Sequence, residues 1–430
     1  MKQSVFLPAP ILLPAFHADA EKMAKWSVIA CDQYTSAPDY WEKVENTVGD
    51  APSALRITLP EIFLNKPGVD ERISGINRTM ETYLDAVLEA QKPSYIYVER
   101  MVLNGKRRRG IVGMLDLETY DYTKGSHTPV RATEGTVLSR IPPRVKIREN
   151  APLETPHVMV LADDPENTIW KAAEEDAKSF GTAAYAFDLM QNGGHIAGWQ
   201  LSEQGNEAVG AAIDALIENA PKDSAGMPMV FAVGDGNHSL ATAKACWEKV
   251  KETLGAEAAA SHPARYALIE LVNIHDEALA FEPIYRVVFH VKAEELLAEM
   301  KAFYPALREY PEGGSIESTA DEHIFGVICG AEMKKLGVPS PKEALPVGTL
   351  QVFLDDYLSR HPECEVDYIH GTAETVNFGS QPDTIAFLFS GMAKSQLFPA
   401  VIQGGALPRK TFSMGEADEK RFYLECRKIR

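Results

Sequence analysis

Cysteine is scarce in this sequence. Five of the 430 residues are cysteines, and they are scattered along the chain at Cys31, Cys246, Cys329, Cys364 and Cys426. No two of them form a CxxC pair, and their number is odd. This pattern argues against a disulfide framework and against a zinc knuckle, and it predicts a reduced, cytoplasmic protein.

Long apolar runs are also missing. No stretch approaches the roughly 18 consecutive apolar residues that a membrane-spanning helix needs. The apolar N-terminus, MKQSVFLPAPILLPAF, is interrupted by Pro8, Pro10 and Pro14, and no small-residue cleavage site precedes the charged stretch that begins at Asp19. We therefore interpret it as an irregular or strand-like start rather than a signal peptide, and we expect no membrane association.

Basic residues are outnumbered by acidic ones. The 43 lysines and arginines face 61 aspartates and glutamates, which gives a net charge of −18. A protein that binds nucleic acid needs a basic face for the phosphate backbone, so a nucleic-acid partner is not expected. A local basic pocket for a small anion remains compatible with this charge, and we expect a small-molecule substrate.

Strand-like and helix-like segments follow one another without a regular βαβ repeat. Two hairpins are predicted, one turning at Asn104-Gly105 in a type I′ turn and one turning at Asn192-Gly193-Gly194. The segment VDERISGINRTMETYLDAVLEAQ has the spacing of an amphipathic helix. The pattern predicts an α+β fold with mixed sheets and flanking helices. We divide the chain into an N-terminal α/β segment with a hairpin (1–130), a core (131–290) and a C-terminal α/β segment (291–430).

Two basic stretches stand out. The segment from Thr123 to Pro156 carries five prolines and six lysines or arginines with little periodicity. It is predicted to lack regular structure, and irregular segments of this length are often functional. The run from Lys106 to Arg109 lies at the first hairpin turn, where a solvated hairpin tip is the favoured interpretation.

The stretch FAVGDGNHSLATAKACWEK, residues 231–249, predicts a strand, a turn and a helix. Gly234 and Gly236 permit unusual backbone angles and a close approach of a ligand to the main chain. The unpaired N–H groups of a helix's first turn stabilise an anion, and Lys244 adds positive charge. The alternative is a tight turn capped by Asn237 or Ser239. The stretch matches neither a Walker loop nor GxGxxG, and one histidine with one aspartate is too few ligands to indicate a metal site.

The residues Asp235, Gly236, Asn237, His238 and Ser239 resemble the aspartate-glycine-histidine-histidine-arginine turn of the DUF1015 family. ALRITLPE (Ala54–Glu61), CDQYTS, EPIYR and LPRKTF (Leu407–Phe412) resemble further segments of that family. The family's turn is similar to the phosphate-contacting turn of the ParB and sulfiredoxin superfamily, which includes kinases of free serine. The resemblance implies a ParB/sulfiredoxin-like core in residues 131–290. It also implies binding of ATP or ADP with Mg²⁺, and phosphoryl transfer to serine or a similar metabolite.

The resemblance assigns phosphate or nucleotide binding to the turn and the helix after it, at Gly234, Asp235, Gly236, Asn237, His238, Ser239 and Lys244. Ser239 stands where the family has an arginine, so a bidentate phosphate clamp is absent at that position. Lys244, Arg131 or Arg144 could compensate for it. The candidate substrate-binding residues are Arg56, Arg131, Arg144, Lys410 and Thr411. Arg56 lies in a strand-like run, where it either pairs with a carboxylate or reaches a ligand.

Three residues are candidate catalytic groups. Glu134, in the proline-rich segment, is a candidate base, with a solvated loop glutamate as the alternative. Asp32 is a candidate Mg²⁺ ligand or base, or else a turn aspartate. His238 either contacts phosphate, acts as an acid, or forms a structural hydrogen bond at the helix start.

Three functions are compatible with these residues. The first is a nucleotide-dependent small-molecule kinase of the serine type. The second is a regulatory protein that binds a nucleotide or phosphometabolite without catalysis, an alternative that Ser239 favours. The third is a phosphate-ester hydrolase that uses the same anion-binding turn.

Overall fold

The structure is a computed structural model that describes residues 4–102, 105–180, 183–311 and 313–430. The chain packs as two compact units. The first comprises the described residues up to Leu279 together with Gly415–Arg430, and the second comprises Ala280–Met414. The three segments predicted from the sequence concern a different division of the chain and stay a prediction.

The first unit begins with short strands and amphipathic helices and continues into longer strands. Its strands before the second unit are β1 (Phe6–Leu7), β2 (Leu12–Pro14), β3 (Val28–Ile29), β4 (Leu88–Ala90), β5 (Ile96–Met101), β6 (Arg107–Asp116), β7 (Tyr120–Asp121), β8 (Val130–Ala132), β9 (Leu153–Glu154), β10 (Met159–Ala162), β11 (Tyr185–Asp188), β12 (His195–Gln200), β13 (Phe231–Asp235) and β14 (Tyr266–Asn273). Its helices are α1 (Ala20–Trp26), α2 (Pro38–Val48), α3 (Val69–Ala86), α4 (Ile141–Arg148), α5 (Thr168–Phe180), α6 (Glu203–Asn219), α7 (Asn237–Glu252) and α8 (Ala256–Ser261). Short 3₁₀ helices occupy Ala54–Arg56, Glu61–Phe63, Leu117–Thr119, Leu138–Arg140 and Pro263–Arg265.

One large sheet organises the first unit. Within the described ranges its strand order is β11-β12-β5-β6-β14-β10-β13-β8-β7, with β1 added to β6. Most neighbours are antiparallel, but β10 runs parallel to β14, and β8 runs parallel to both β13 and β7. The predicted mixed sheet with flanking helices is therefore confirmed.

Successive side chains of β5 point to opposite faces of this sheet and contribute to a separate core on each face. Ile96 and Val98 point into the core formed with α1, α2 and α3. Tyr95, which immediately precedes the strand, and Tyr97 lie in the other core, which is formed with α5, α6 and α7. Successive side chains of a strand point to opposite faces, so a strand covered on both faces is apolar at both parities. Strand β13 lies between β10 and β8 in the same sheet, and its Phe231 and Val233 belong to the second of these cores.

Both predicted hairpins are present. Strands β5 and β6 pair antiparallel from Ile96–Val112 to Met101–Arg107, and β11 pairs antiparallel with β12. Asn104, which the type I′ prediction needs, lies outside the described residues.

The prediction of a solvated hairpin tip at Lys106–Arg109 is wrong for Arg108 and Arg109. Arg108 is only 4% exposed, and its Nη1 donates to the carbonyl oxygen of Glu419 at 2.7 Å. Arg109 lies 3.3 Å from the Asp276 carboxylate. Both arginines belong to strand β6, whose successive side chains point to opposite faces. Arg108 is therefore buried, and Arg109 lies against a carboxylate.

Two further expectations about local structure need correction. The segment from Thr123 to Pro156 is not structureless, since it contains β8 and helix α4, whose first turn holds the two prolines of IPPRVKIR. Proline suits a first helical turn because its missing N–H has no partner there anyway. The run around Arg56 is a 3₁₀ helix rather than a strand, and Ser53 caps it through its hydroxyl.

The second unit is a sheet covered by helices. Its strands are β15 (Phe281–Phe289), β16 (Arg308–Tyr310), β17 (Glu322–Cys329), β18 (Glu332–Pro339), β19 (Glu365–His370), β20 (Thr384–Phe389) and β21 (Phe412–Met414). Its helices are α9 (Ala293–Phe303), α10 (Pro346–Arg360), α11 (Thr372–Gly379) and α12 (Leu397–Gly404), with a 3₁₀ helix at Lys394–Gln396. The strand order is β16-β18-β17-β20-β15-β19, and β21 pairs with the start of β15.

The chain then returns to the first unit. A 3₁₀ helix at Ala417–Glu419 precedes β22 (Phe422–Tyr423), which pairs with β3, and β23 (Arg427–Lys428), which pairs with β9. Among the described helices of both units, none combines the length and the apolarity that crossing a membrane requires.

A buried histidine makes the second unit sensitive to acid. His323 of β17 is 2% exposed, and its Nδ1 lies 2.8 Å from the Thr349 hydroxyl. Burial lowers the pKa of His323 to about 4, whereas a histidine in an unfolded chain has a pKa of about 6.5. The unfolded state therefore binds more protons between these values, so stability falls as the pH drops from 6.5 to 4.

We expect acidification from pH 7 to pH 4 to cost the second unit up to ~3 kcal/mol through His323. Hydrogen exchange of the β17 amides as a function of pH measures this loss. The His323→Gln variant lacks the titrating group and should show a smaller pH dependence than the unsubstituted protein. Equal pH dependence in the two proteins would contradict the assignment.

Candidate functional site

The turn between β13 and α7 is built around Gly236. Its φ of 78° places it in the left-handed region, and it precedes the first helical residue, Asn237. A Cβ at this position would lie 3.1 Å from the Cα of Val158 and 3.4 Å from the His157 ring. The expectation that Asn237 or Ser239 caps the helix is wrong, because both are inside it and Gly236 holds the capping position. A side chain on residue 236 would clash, so the turn specifically requires glycine.

The segment after β8 lies against this turn. The Thr133 hydroxyl donates to the carbonyl oxygen of Val233 at 2.6 Å, and the Asn237 amide nitrogen lies 3.4 Å from the same hydroxyl. The Val137 N–H donates to Nε2 of His238 at 3.4 Å. Glu134 stands between these two anchored residues in the sequence, which places its backbone beside the turn.

Helix α4 extends this contact to the body of α7. Ile141 and Val145 form a small apolar cluster with Ala241 and Cys246. The proline-rich segment therefore closes over the first turns of α7 and gives the site one wall.

His157 connects the turn to residues from distant parts of the chain. Its Nε2 lies 2.9 Å from the Ser239 hydroxyl and 3.9 Å from an Asp32 carboxylate oxygen. Its Nδ1 lies 2.8 Å from the Tyr423 hydroxyl, which also accepts the Cys31 N–H at 3.2 Å. His157 is 8% exposed, and contacts with Ser239, Asp32 and Tyr423 fix the position of its ring.

The thiol and the phenol of this group keep their protons. Burial, reinforced by the negative charge of Asp32, raises the pKa of the Cys31 thiol. Burial also raises the pKa of Tyr423 far above its ordinary value. A protonated thiol is a poor nucleophile.

Asp235 and Lys420 form an ion pair at the turn. The Nζ of Lys420 lies 3.4 Å from one Asp235 oxygen, and the other oxygen accepts the Gly236 N–H at 3.0 Å. Lys420 is 8% exposed, so its charge is concentrated next to the helix N-terminus. A buried ammonium group next to the positive end of a helix dipole favours an anionic ligand.

A cavity of about 150 Å³ opens beside the turn. Ser239 and His157 line it together with apolar side chains such as Ile57, Met80 and Leu268. Arg144, one of the predicted substrate-binding residues, also lines it and forms an ion pair with Glu61. Pockets for drug-sized ligands span ~300–1,000 Å³, so this cavity accommodates one part of such a ligand.

Five of the predicted binding residues either pair with acidic side chains or lie in the second unit. Arg56 pairs with Glu45 at 2.6 Å and lines a different surface cleft. Lys244 pairs with Glu248 at 2.6 Å. The roles predicted for these two residues stay predictions.

Arg131 pairs with Asp223 at 2.7 Å, with both side chains buried. Lys410 and Thr411 belong to the second unit, where the Thr411 hydroxyl donates to the Pro408 carbonyl oxygen at 2.7 Å. Their predicted substrate roles also stay predictions.

His157, Lys420 and Tyr423 are the site residues that the sequence did not indicate. His157 immediately precedes strand β10 in ETPHVMV, where a polar residue at a strand start is common. Lys420 and Tyr423 lie about 185 residues after the turn, in KRFYLECRKI. The pairing of β22 with β3 brings Lys420 and Tyr423 to the site. No sequence pattern within either strand predicts that pairing.

The donor set of the turn is compatible with a magnesium nucleotide. Among residues 4–102, 105–180, 183–311 and 313–430, no group of three or more His, Cys, Asp or Glu side chains could hold a metal ion by itself. Mg²⁺ is usually held by one or two carboxylates together with substrate phosphates. Asp235, 21% exposed in its side chain, supplies a carboxylate next to the expected phosphate position.

Comparison with known proteins now decides the family. The model of the family described as "Protein of unknown function (DUF1015)" matches residues 13–357. The chain belongs to the DUF1015 family. No curated protein shows significant similarity to this DUF1015 member.

Solved structures similar to this DUF1015 protein include a free serine kinase variant in complex with ADP. It is 11% identical, with a TM-score of 0.41 over 74% of this chain and 91% of that chain. A conserved hypothetical protein from Pyrococcus furiosus is 12% identical, with a TM-score of 0.37 over 74% of this chain and 94% of that chain. SbnI with a C-terminal truncation, from Staphylococcus aureus, is 10% identical, with a TM-score of 0.36 over 71% of this chain and 82% of that chain.

Proposed function

We propose that the first unit binds a nucleotide at the turn between β13 and α7 and transfers its terminal phosphoryl group to a hydroxyl of a small metabolite. The observation that carries this proposal is the convergence of the α7 N-terminus, the buried Lys420 and the carboxylates of Asp32 and Asp235 around one turn. Serine as the acceptor, and a ParB/sulfiredoxin-like core, are taken over from the family resemblance.

The phosphates would lie on the backbone of the turn. The N–H groups of Asn237, His238 and Ser239 belong to the first turn of α7, where no intrahelical acceptor is available to them. The partial positive charge of the helix N-terminus and the charge of Lys420 act in the same direction. This arrangement supplies the charge for which the family uses an arginine at the position of Ser239.

His238 contributes through its backbone rather than as an acid. Its Nε2 accepts the Val137 N–H, so this nitrogen carries no proton while that bond is formed. The bond instead ties the segment after β8 to the turn and helps to keep Glu134 in place.

The carboxylates would bind the metal ion and accept the proton of the acceptor hydroxyl. Asp235 would hold Mg²⁺, which when bound neutralises phosphate charge. Asp32, which lies against His157, or Glu134 would accept the proton of the acceptor hydroxyl. The cavity beside Ser239 would hold an apolar part of the ligand, such as the nucleobase.

Thermal unfolding with and without Mg²⁺ and ATP or ADP tests nucleotide binding. A ligand present at a hundred times its Kd stabilises the native state by ~2.7 kcal/mol, so we expect a rise in Tm of several degrees. Adenosine without phosphates should give a much smaller rise, because the turn recognises phosphate. No shift with any nucleotide at millimolar concentration would contradict the proposal.

Mass spectrometry of the reaction with serine then separates the candidate functions. Phosphoserine formation, reduced at least ~10²-fold in Asp32→Asn or Glu134→Gln, supports the kinase. The exposed Asp39→Asn of α2 serves as the matched control. Binding without product indicates the regulatory protein, and free phosphate released from phosphoserine without added nucleotide indicates the hydrolase.

A further inference from the structure

Ser239 and His157 form a hydrogen-bonded pair in the lining of the cavity. The Ser239 Oγ lies 2.9 Å from His157 Nε2, within reach for direct proton transfer. Both residues line the cavity, and Ser239 lies in the first turn of α7, where the phosphates would bind. A hydroxyl with an adjacent imidazole is the arrangement by which proteins activate serine as a nucleophile.

Tyr423 holds the imidazole in the orientation that this role requires. The phenol oxygen accepts the Cys31 N–H at 3.2 Å, and it lies 2.8 Å from His157 Nδ1. In the tautomer that this role requires, the same phenol oxygen also accepts Nδ1–H of His157. A neutral histidine protonated on Nδ1 has a bare Nε2, which accepts the Ser239 proton.

Asp32 stabilises the charge that proton transfer creates. Its carboxylate lies 3.9 Å from His157 Nε2 and is 28% exposed. When Nε2 takes a proton the imidazole becomes a cation, and a carboxylate at this distance favours the cationic form. The group therefore contains a nucleophile (Ser239), a base (His157), a positioning residue (Tyr423) and a counter-charge (Asp32).

We infer that Ser239 accepts the terminal phosphoryl group of the bound nucleotide and forms a phosphoserine intermediate before the group passes to the acceptor hydroxyl. This inference rests on the proposed function and specifies its route. Direct transfer from nucleotide to acceptor is the alternative, and the experiment below distinguishes the two.

The phosphoryl group would be transferred in two steps. In the first, the Ser239 proton moves to His157 Nε2, a bond forms between Oγ and phosphorus, and the bond from phosphorus to the bridging oxygen breaks. The shortened nucleotide leaves with that electron pair. In the second, the acceptor hydroxyl attacks phosphorus and loses its proton to Asp32, the bond from phosphorus to Oγ breaks, and His157 returns its proton to Oγ.

The first test is incubation of the full chain with Mg²⁺ and a nucleotide labelled in its terminal phosphate, without acceptor. We expect one phosphoryl group per chain, mapped to Ser239 by peptide mass spectrometry and discharged when serine is added. Ser239→Ala should abolish the label and lower turnover at least ~10²-fold, and His157→Gln should slow labelling similarly. Turnover undiminished in Ser239→Ala, or a label on another residue, would overturn the inference while leaving the proposed function intact.

A second test works even if no nucleotide binds. A fluorophosphonate reacts with an activated serine, since the bond from Oγ to phosphorus forms, fluoride leaves with its electron pair and the proton passes to His157. We expect a single adduct at Ser239 that His157→Gln prevents. Ser202, a helix-capping serine whose hydroxyl meets Asp176 instead of a histidine, should stay unlabelled. Absence of the Ser239 adduct would overturn the claim of an activated serine.

Tyr423→Phe tests the positioning role. This variant keeps the ring but removes the acceptor for Nδ1–H. We expect a labelling rate at saturating fluorophosphonate that falls about tenfold, with Tm and nucleotide affinity unchanged. A labelling rate equal to that of the unsubstituted protein would show that Tyr423 does not position His157.

Discussion

Replacing Arg421 by methionine is expected to destabilise the first unit by about 3–5 kcal/mol, because it leaves buried carboxylates without their cation. Arg421 is 1% exposed, and its Nη1 lies 2.8 Å from Glu270, while its Nη2 pairs with Glu425. The side chains of Glu270 and Glu425 are 2% and 0% exposed. Burial alone would lower the pKa of Arg421, but the two carboxylates outweigh that effect and raise it.

The loss should appear in urea unfolding followed by tryptophan fluorescence. All five tryptophans belong to the first unit, so the signal reports on that unit. Arg107→Met is the matched control within the same unit, since Arg107 pairs with Glu99 and Glu174 at 41% exposure. Surface pairs contribute ~0–1 kcal/mol. Neutralising both carboxylates in Arg421→Met, with Glu270→Gln and Glu425→Gln, should recover part of the stability. A loss in Arg421→Met no larger than that of the control would contradict this account.

Replacing Gly236 by alanine is expected to weaken nucleotide binding at least ~10-fold, because small displacements of a positioned group have large effects. The new Cβ would lie 3.1 Å from the Val158 Cα, which is backbone and moves little. Alanine in the left-handed region also costs about 1–2 kcal/mol. The turn must shift, and the N–H groups of α7 shift with it.

Gly226→Ala separates the effect of backbone strain from the effect of the steric clash. Gly226 has a φ of 77°, and no atom lies within 4 Å of a Cβ built there. Alanine at this position has the same backbone strain without the clash, so its stability should fall similarly while its nucleotide affinity should not.

Local patterns predicted much of the fold. The hairpin of β11 and β12 follows from alternating residues around a glycine-rich turn, and α3 follows from its amphipathic spacing. The strand-turn-helix around Gly236 was likewise predicted, since glycine and helix formers act over a few residues. The inward position of Arg108 was not, because a run of four basic residues indicates solvent exposure unless the partner backbone at Glu419 is known.

The site was only partly predictable for the same reason. Asp32, Glu134 and the turn were named from their own sequence neighbourhoods. Arg56 was placed in a strand, but the Ser53 cap shapes a 3₁₀ helix there. Lys420 and Tyr423 reach the turn through the pairing of β22 with β3, two segments nearly 400 residues apart. His157 reaches it through the pairing of β10 with β13. No local sequence pattern predicts either pairing.

Isothermal titration calorimetry with Mg²⁺ and ATP or ADP tests the central claim, that the turn at Gly236 holds nucleotide phosphates. We predict saturable binding at one site by the unsubstituted chain and by Gly226→Ala, and affinity lowered at least ~10-fold in Gly236→Ala. Absence of nucleotide binding by the unsubstituted chain, or equal affinity in all three proteins, would contradict the claim.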